Sequence, residues 1–261
     1  MILVDVHAHM DFPEFAADLP EVIERAKNSG VTAIISHGVH DASNRTTLAL
    51  AKKYPLIRPA LGLYPLNAPN VNVLSEDKDF DRTHARSVDD TLRFIREHAK
   101  ELIAIGEVGI DLHFSEDEQH QVENFTRILQ LAHTIKKPVV IHSRKAEKLV
   151  LDILEDAKFE RAVLHCFSGG QKLITRAADL GYSLTVTSNA NRSQHFQLMA
   201  RIVPLGQLLT ETDAPLLGPV VGARNEPQNV RVAIATIAKQ KGLNADEAAR
   251  VVYMNYQTLF L

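Results

Sequence analysis

The chain has little of what would mark an extracellular, membrane-spanning or dinucleotide-cradling protein. It holds one cysteine in 261 residues, which excludes an internal disulfide framework and fits a reducing, cytoplasmic compartment. No uninterrupted apolar stretch approaches the length of a membrane-spanning helix, and the first residues carry no basic leader or cleavage-site pattern. Internal repeats and low-complexity tracts are also missing. Neither sign of charge dominates: 29 Lys and Arg stand against 32 Asp and Glu, a net charge of −3. Proteins that grip long duplex DNA present many cations to its phosphates. This balance therefore argues against an extended duplex footprint and leaves room for a small phosphate site. A glycine-rich first turn, which a dinucleotide-binding sheet requires, is absent. That turn reads His7-Ala8-His9-Met10-Asp11.

What is present is a regular alternation of short apolar runs and amphipathic stretches. Strands are predicted near residues 2–7, 32–37, 57–62, 102–107, 138–142, 161–165, 182–186 and 207–211. Helices are predicted between them, near 19–29, 43–53, 88–99, 117–136, 145–156, 171–180 and 193–203, with a final helical region over 226–241 and 244–258. Eight strand–helix units in a chain of this length predict an α/β fold, a (β/α)8 TIM barrel forming a single domain over residues 1–261. Two irregular segments interrupt the pattern. Residues 66–87 include the acidic run Glu76-Asp77-Lys78-Asp79-Phe80-Asp81, and residues 214–227 are rich in proline and glycine. Both follow strands, so both are expected on the face of the barrel where the strands end.

That face carries the chemistry of a TIM barrel, and the strand ends hold an unusual set of side chains. His7 and His9 close the first strand; residues i and i+2 of a strand point to one side, so their imidazoles converge. Glu107 ends the fourth strand, His142 the fifth and His165 the sixth, and Asp213 follows the eighth. A buried, unpaired carboxylate or charged imidazole is costly. Four histidines and two carboxylates at one end of one barrel stabilise one another if cations lie between them. Such a set can hold two divalent ions, one carboxylate bridging.

The ordered series of motifs resembles the TatD family of metal-dependent deoxyribonucleases, within the amidohydrolase-like barrels. The resemblance runs through His7-Ala8-His9 with Asp11, Gly106-Glu107-Val108-Gly109-Ile110-Asp111, and His142-Ser143-Arg144. It continues in His165-Cys166-Phe167-Ser168-Gly169, Glu211-Thr212-Asp213-Ala214-Pro215 and Arg224-Asn225-Glu226-Pro227, and ends at Asn255 with Leu259-Phe260. It implies that His7, His9, Glu107 and Asp213 bind one ion, that Glu107, His142 and His165 bind a second, and that Glu107 bridges them. The family's activity is associated with magnesium, whereas imidazole-rich donors favour zinc or manganese; magnesium, manganese and zinc all stay open.

Catalytic roles follow for Glu107, which holds the ions, and Asp213, placed to accept the proton of an attacking water. Arg144 is a candidate contact for a phosphate oxygen, the alternative being a salt bridge to Glu147 or Glu211. Asp111 is expected to orient a ligand or loop by hydrogen bonding. One segment departs from the family pattern: where a Gly-x-His-Pro sequence is usual, this chain has Gly62-Leu63-Tyr64-Pro65. Tyr64 is a candidate substrate contact that donates a hydrogen bond to phosphate but takes no proton near neutral pH. His37 is read as a histidine at the barrel rim, and Cys166 as a small buried side chain turned from the ligands by strand alternation.

The resulting expectation is a metal-dependent phosphodiesterase acting on DNA ends or short single-stranded DNA. The acidic balance suits an exonuclease better than an enzyme that grips duplex. A hydrolase of a small amide, ester or lactone on the same barrel is the alternative, since fold does not fix substrate. Nothing in the sequence points to a membrane or a particular protein partner.

Overall fold

The computed structural model describes residues 1–74 and 87–261. The acidic run at 76–81 and His84 lie outside the described residues. Eight strands are described: β1 (Leu3–Ala8), β2 (Val31–His37), β3 (Ile57–Leu61), β4 (Ala104–Gly109), β5 (Val139–His142), β6 (Ala162–Leu164), β7 (Ser183–Thr187) and β8 (Leu208–Glu211). They pair in parallel in chain order and form a nearly closed barrel. Helices follow on the outside: α1 (Leu19–Asn28), α2 (Asp41–Lys53), α3 (Val88–Glu97), α4 (Glu118–Ile135), α5 (Glu147–Asp156), α6 (Gln171–Asp179), α7 (Gln194–Ile202), α8 (Val230–Lys241) and α9 (Ala245–Phe260). The fold is the (β/α)8 barrel that the alternation predicts. No helix among the described residues is long and apolar enough to cross a membrane.

Strands covered on both faces must be apolar on both faces, and β5 (Val-Val-Ile-His) and β6 (Ala-Val-Leu) have no exposed residue before the functional end. The helices start where side chains satisfy their free N–H groups. Ser87 caps α3, Asp117 caps α4, and Asn244 forms a reciprocal capping box with Glu247 on α9. Helix α8 ends at Gly242, whose φ of 67° is the left-handed value that glycine adopts without strain. Most boundaries shift by a residue or two from the sequence reading, and two of the differences have a clear cause or consequence. The 226–241 helix begins at Val230 because Pro227–Asn229 form a separate tight turn. The fourth strand runs to Gly109, so Glu107 lies inside it, and a Cβ at Gly109 would meet the His142 carbonyl oxygen at 1.9 Å.

Barrel closure is the weak point of the hydrogen-bond pattern, because the bridge at the β1–β8 seam is an isolated one, Ala8 with Ala214, three residues past the end of β8. Backbone bonds from Asp213 N–H to the His7 carbonyl and from His9 N–H to the Ala214 carbonyl, both 2.8 Å, continue the seam upward. Below them, polar side chains replace the missing ladder. Thr210 donates to the Val4 carbonyl at 2.7 Å, and the buried Asp5 carboxyl accepts the Thr212 N–H (2.9 Å), the Thr212 hydroxyl (2.5 Å) and the His7 N–H (3.3 Å). Burial pushes the Asp5 carboxyl up to about 8, against the Thr212 and His7 bonds, which pull it down.

The loop after β8 is fixed at its base. The buried Asn225 amide donates to Ser188 Oγ (2.9 Å), the Thr212 carbonyl (2.8 Å) and the Leu216 carbonyl (2.7 Å). On either side of it, Arg224 reaches Asp18 at 2.7 Å and Glu226 at 3.0 Å, and Arg25 reaches Glu226 at 2.8 Å. The Arg-Asn-Glu-Pro motif thus ties this loop to the first helix.

Two predictions follow. Asp5→Ala strands the Thr212 donors inside the seam and should lower the unfolding free energy by about 2–4 kcal/mol, measured by urea denaturation. Hydrogen bonding from Arg224, reinforced by Arg25, holds the Asp18 carboxyl down at about 2, and Arg25 likewise depresses Glu226. Depressed carboxylates stabilise the fold above their unfolded values, near 4, and lose that contribution as pH falls toward the folded value. The Tm deficit of Arg224→Ala relative to wild type should therefore be full at pH 6 and shrink between about pH 4 and 2.

Candidate metal centre

All six strand-end residues singled out in the sequence converge at the carboxyl end of the barrel. His7 comes from β1, His9 lies just beyond it, Glu107 comes from β4 and His142 ends β5. His165 and Asp213 sit just past β6 and β8. Glu107 can lie so deep because β3 gives way to Gly62 beside it. A Cβ at Gly62 would be 2.3 Å from the Glu107 carbonyl oxygen and 2.6 Å from its nitrogen. Asp213 adopts a left-handed φ of 57°, a region costly for most side chains and more accessible to aspartate. The Asn225 brackets on Thr212 and Leu216 enclose it on both sides.

The two oxygens of Glu107 face different partners. Oε2 is 3.4 Å from Nε2 of both His7 and His9. Oε1 is 3.1 Å from His142 Nδ1 and 3.8 Å from His165 Nε2. Asp213 Oδ1 lies 3.5 Å from the His7 and His9 nitrogens, which are themselves 3.2 Å apart. Four ligands arranged tetrahedrally at about 2.0–2.2 Å from a zinc-like ion are separated by roughly 3.3–3.6 Å. Four of the five separations among His7, His9, Glu107 and Asp213 fall in that range, and the fifth, between the two histidine nitrogens, is just short of it.

Proton placement supports the same fit. His9 Nδ1 donates to the His37 carbonyl (3.2 Å), His142 Nε2 to Asp111 (2.9 Å) and His165 Nδ1 to Glu211 (2.9 Å). Each outer nitrogen carries a proton, so the inward nitrogen of each ring faces carboxylate oxygens and takes either an ion or a second proton. Acceptor facing acceptor at 3.1–3.5 Å is repulsive unless positive charge lies between. The residues therefore fit a divalent cation.

With no ion between them, protons close the same contacts. Burial opposes ionisation of Glu107, but hydrogen bonds from His142, His7 and His9 outweigh it and hold the carboxyl well below the usual range. Burial also opposes charge on His9 and His142, and carboxylate partners overcome it: Asp213 and Glu107 for His9, Asp111 and Glu107 for His142. Both are raised. His165 is raised to about 9, with Glu211 overcoming burial.

The supporting residues are more extensive than the sequence reading found. Asp111 sits where it orients His142, with its other oxygen accepting the N–H groups of His113 (2.8 Å) and Phe114 (3.0 Å). Glu211 does the same for His165 and also accepts the Cys166 N–H at 3.0 Å. In sequence, Glu211 stands only as a motif residue and a candidate partner for Arg144. Its signal was its position two residues before Asp213 at the end of β8. His37 is not at the rim. It is buried inside the barrel and stacked on His7 at 4.1 Å, while His165 stacks on the opposite face of His7 at 3.6 Å. Its Nε2 donates to the Val6 carbonyl at 3.0 Å, and burial lowers it to about 3, so it stays neutral.

Above the ligands opens a cavity of about 400 Å³, with walls that include Phe12, Tyr64, Phe114, Arg144, Leu216 and Leu217. Cys166 also lines it, contrary to the alternation argument. Strand β6 stops at Leu164, and a φ of 42° at Cys166 turns the chain. Burial, then Glu211, raises its thiol well above the ordinary range, which leaves it protonated and unreactive. The Arg144 guanidinium lies 4.8 Å from the Phe114 ring centroid and has no ion-pair partner among the described residues, so neither Glu147 nor Glu211 holds it. Tyr64 reaches the ligand set itself: its hydroxyl donates to Asp111 at 3.1 Å and lies 3.4 Å from His142 Nε2. Burial, with Glu107 and Asp111 nearby, keeps this phenol well above its usual range and hence neutral.

Comparison with known proteins places this arrangement. The chain is 30% identical to the human deoxyribonuclease TATDN3 over 99% of its length and 94% of that protein's. It is 33% identical to an uncharacterised metal-dependent hydrolase of Methanocaldococcus jannaschii, covering 97% of this chain and 94% of the relative. The crystal structure of the TatD homologue YjjV from Escherichia coli K12 superposes with a TM-score of 0.85 at 29% identity, covering 99% of this chain and 97% of the other. The profile of TatD-related DNases matches residues 4–261. The chain belongs to the TatD-related DNase family.

Proposed function

We propose that this chain hydrolyses DNA phosphodiester bonds at strand ends or in short single strands, using two divalent ions. His7, His9, Glu107 and Asp213 hold one, and Glu107, His142 and His165 hold the other. The observation that carries this reading is the divided carboxylate of Glu107, one oxygen facing each histidine pair. Magnesium, manganese and zinc are the candidate ions, and a donor set rich in imidazole favours zinc or manganese. When bound, such ions supply Lewis acidity toward phosphate oxygens and lower the pKa of water.

The chain's own residues do the rest. Asp213 lies at the cavity floor, where its carboxylate accepts the proton of the attacking water. Arg144, braced on Phe114, donates to a phosphate oxygen from the cavity wall. Phe12, Phe114, Leu216 and Leu217 offer apolar surface to the sugar and base of a chain end. A cavity of about 400 Å³ is on the scale of a single small-ligand site. That size suits a terminal nucleotide rather than a gripped duplex. The name of the human relative, a deoxyribonuclease, supports DNA as the substrate.

Metal-stripped protein resupplied with magnesium, manganese or zinc should shorten end-labelled single-stranded DNA from one end, and Glu107→Ala purified alongside should not. Absence of cleavage with every ion, in protein shown to bind two per chain, would overturn the nuclease reading. Arg144→Ala should lower kcat/KM for DNA by about 10- to 100-fold, the ~1.5–3 kcal/mol of a hydrogen bond to a charged group, with ion content unchanged.

A further inference from the structure

We propose that Tyr64 is a positioning residue that fixes the ligand His142 through a shared oxygen of Asp111, and that it does not act on the substrate. The inference rests on the two-ion reading above. Asp111 Oδ2 accepts two donors, His142 Nε2–H at 2.9 Å and the Tyr64 hydroxyl at 3.1 Å. The hydroxyl proton is therefore directed at Asp111 and committed there. The Tyr64 ring also meets the His142 ring edge to face, 4.9 Å between centroids at 66°. Both the plane of the imidazole and its outer N–H are set from the Tyr64 side.

The rest of Asp111 is already immobile. Its Oδ1 is held by two backbone N–H groups, its own N–H donates to Gln121 Oε1 at 2.7 Å, and its carbonyl accepts from Gln121 Nε2 at 3.0 Å. The remaining freedom is rotation of the carboxylate about its pinned oxygen, and the Tyr64 hydroxyl removes it. With Asp111 fixed, His142 Nε2 keeps its proton and Nδ1 presents its lone pair 3.1 Å from Glu107 Oε1. The chain Tyr64–Asp111–His142–Glu107 links the loop after β3 to the ligands of β4 and β5. Tyrosine suits this place because its rigid ring carries a donor across the cavity wall and, unlike histidine, takes up no second proton near neutral pH.

The test uses full-length, metal-stripped protein titrated with Co2+ alone, followed by calorimetry and by the visible absorption of the bound ion. Wild type should take up two ions. In Tyr64→Phe one binding constant should weaken by about three- to tenfold with a change in its absorption band, the other staying as in wild type. That is less than the about 10- to 100-fold expected for Asp111→Ala, which removes the carboxylate itself. Because Tyr64 acts through Asp111, Tyr64→Phe should add nothing in the Asp111→Ala background. Two ions in wild type, with both constants unchanged in Tyr64→Phe and a raised KM for DNA, would overturn the inference and make Tyr64 a substrate contact. Additive effects in the double variant would overturn it equally. Uptake of fewer than two ions by wild type would overturn the two-ion reading, and this inference with it.

Discussion

A buried carboxylate with an imidazole pair on each oxygen imposes a condition on the whole upper half of this barrel. Three of the four imidazoles have one proton committed outward, to a carbonyl or a carboxylate, so each inward nitrogen is left for an ion or a second proton. Glu107 and Asp213 add negative charge to the same small volume. In a low-dielectric interior that arrangement is stable only if positive charge completes it. The surrounding structure serves that condition. Gly62 lets Glu107 sink between strands, Asp111 and Glu211 hold two of the rings, and the stack of His37, His7 and His165 fixes a third that has no hydrogen bond on its outer nitrogen among the described residues.

The chemistry-bearing residues were legible because a parallel barrel leaves each strand end at a known place. Polar residues ending apolar runs, as at Val139–His142 and Leu208–Asp213, therefore had one destination. The residues behind them were less legible, since nothing local in sequence ties Glu211 to His165, 46 positions away, or His37 to His7. Those pairings depend on which neighbouring strands abut and at what register. The reading of Cys166 failed for a different reason: alternation holds only while a strand continues, and β6 has already ended. The Arg-Asn-Glu-Pro motif was recognisable as a pattern, but only the folded chain shows that Asn225 grips the backbone flanking Asp213.

The loop after β8 combines a rigid base with an apolar tip. Leu216, Val220 and Val221 are exposed, yet Asn225 and the Arg25–Glu226–Arg224–Asp18 network anchor the segment that carries them. A wall of the cavity is thereby held by charges at the first helix, none of them on a candidate ligand.

The seam between β1 and β8 has a consequence for how the molecule comes into being. His7 and His9 stand at the end of the first strand, and seven further strands separate them from their counterpart Asp213. The backbone bond from Asp213 to the His7 carbonyl joins the two ends of that interval. Until it forms, the His7–His9 side of the centre lacks its second carboxylate and the barrel lacks its last stave. The six candidate ligands are thus brought together only by the contact that closes the barrel.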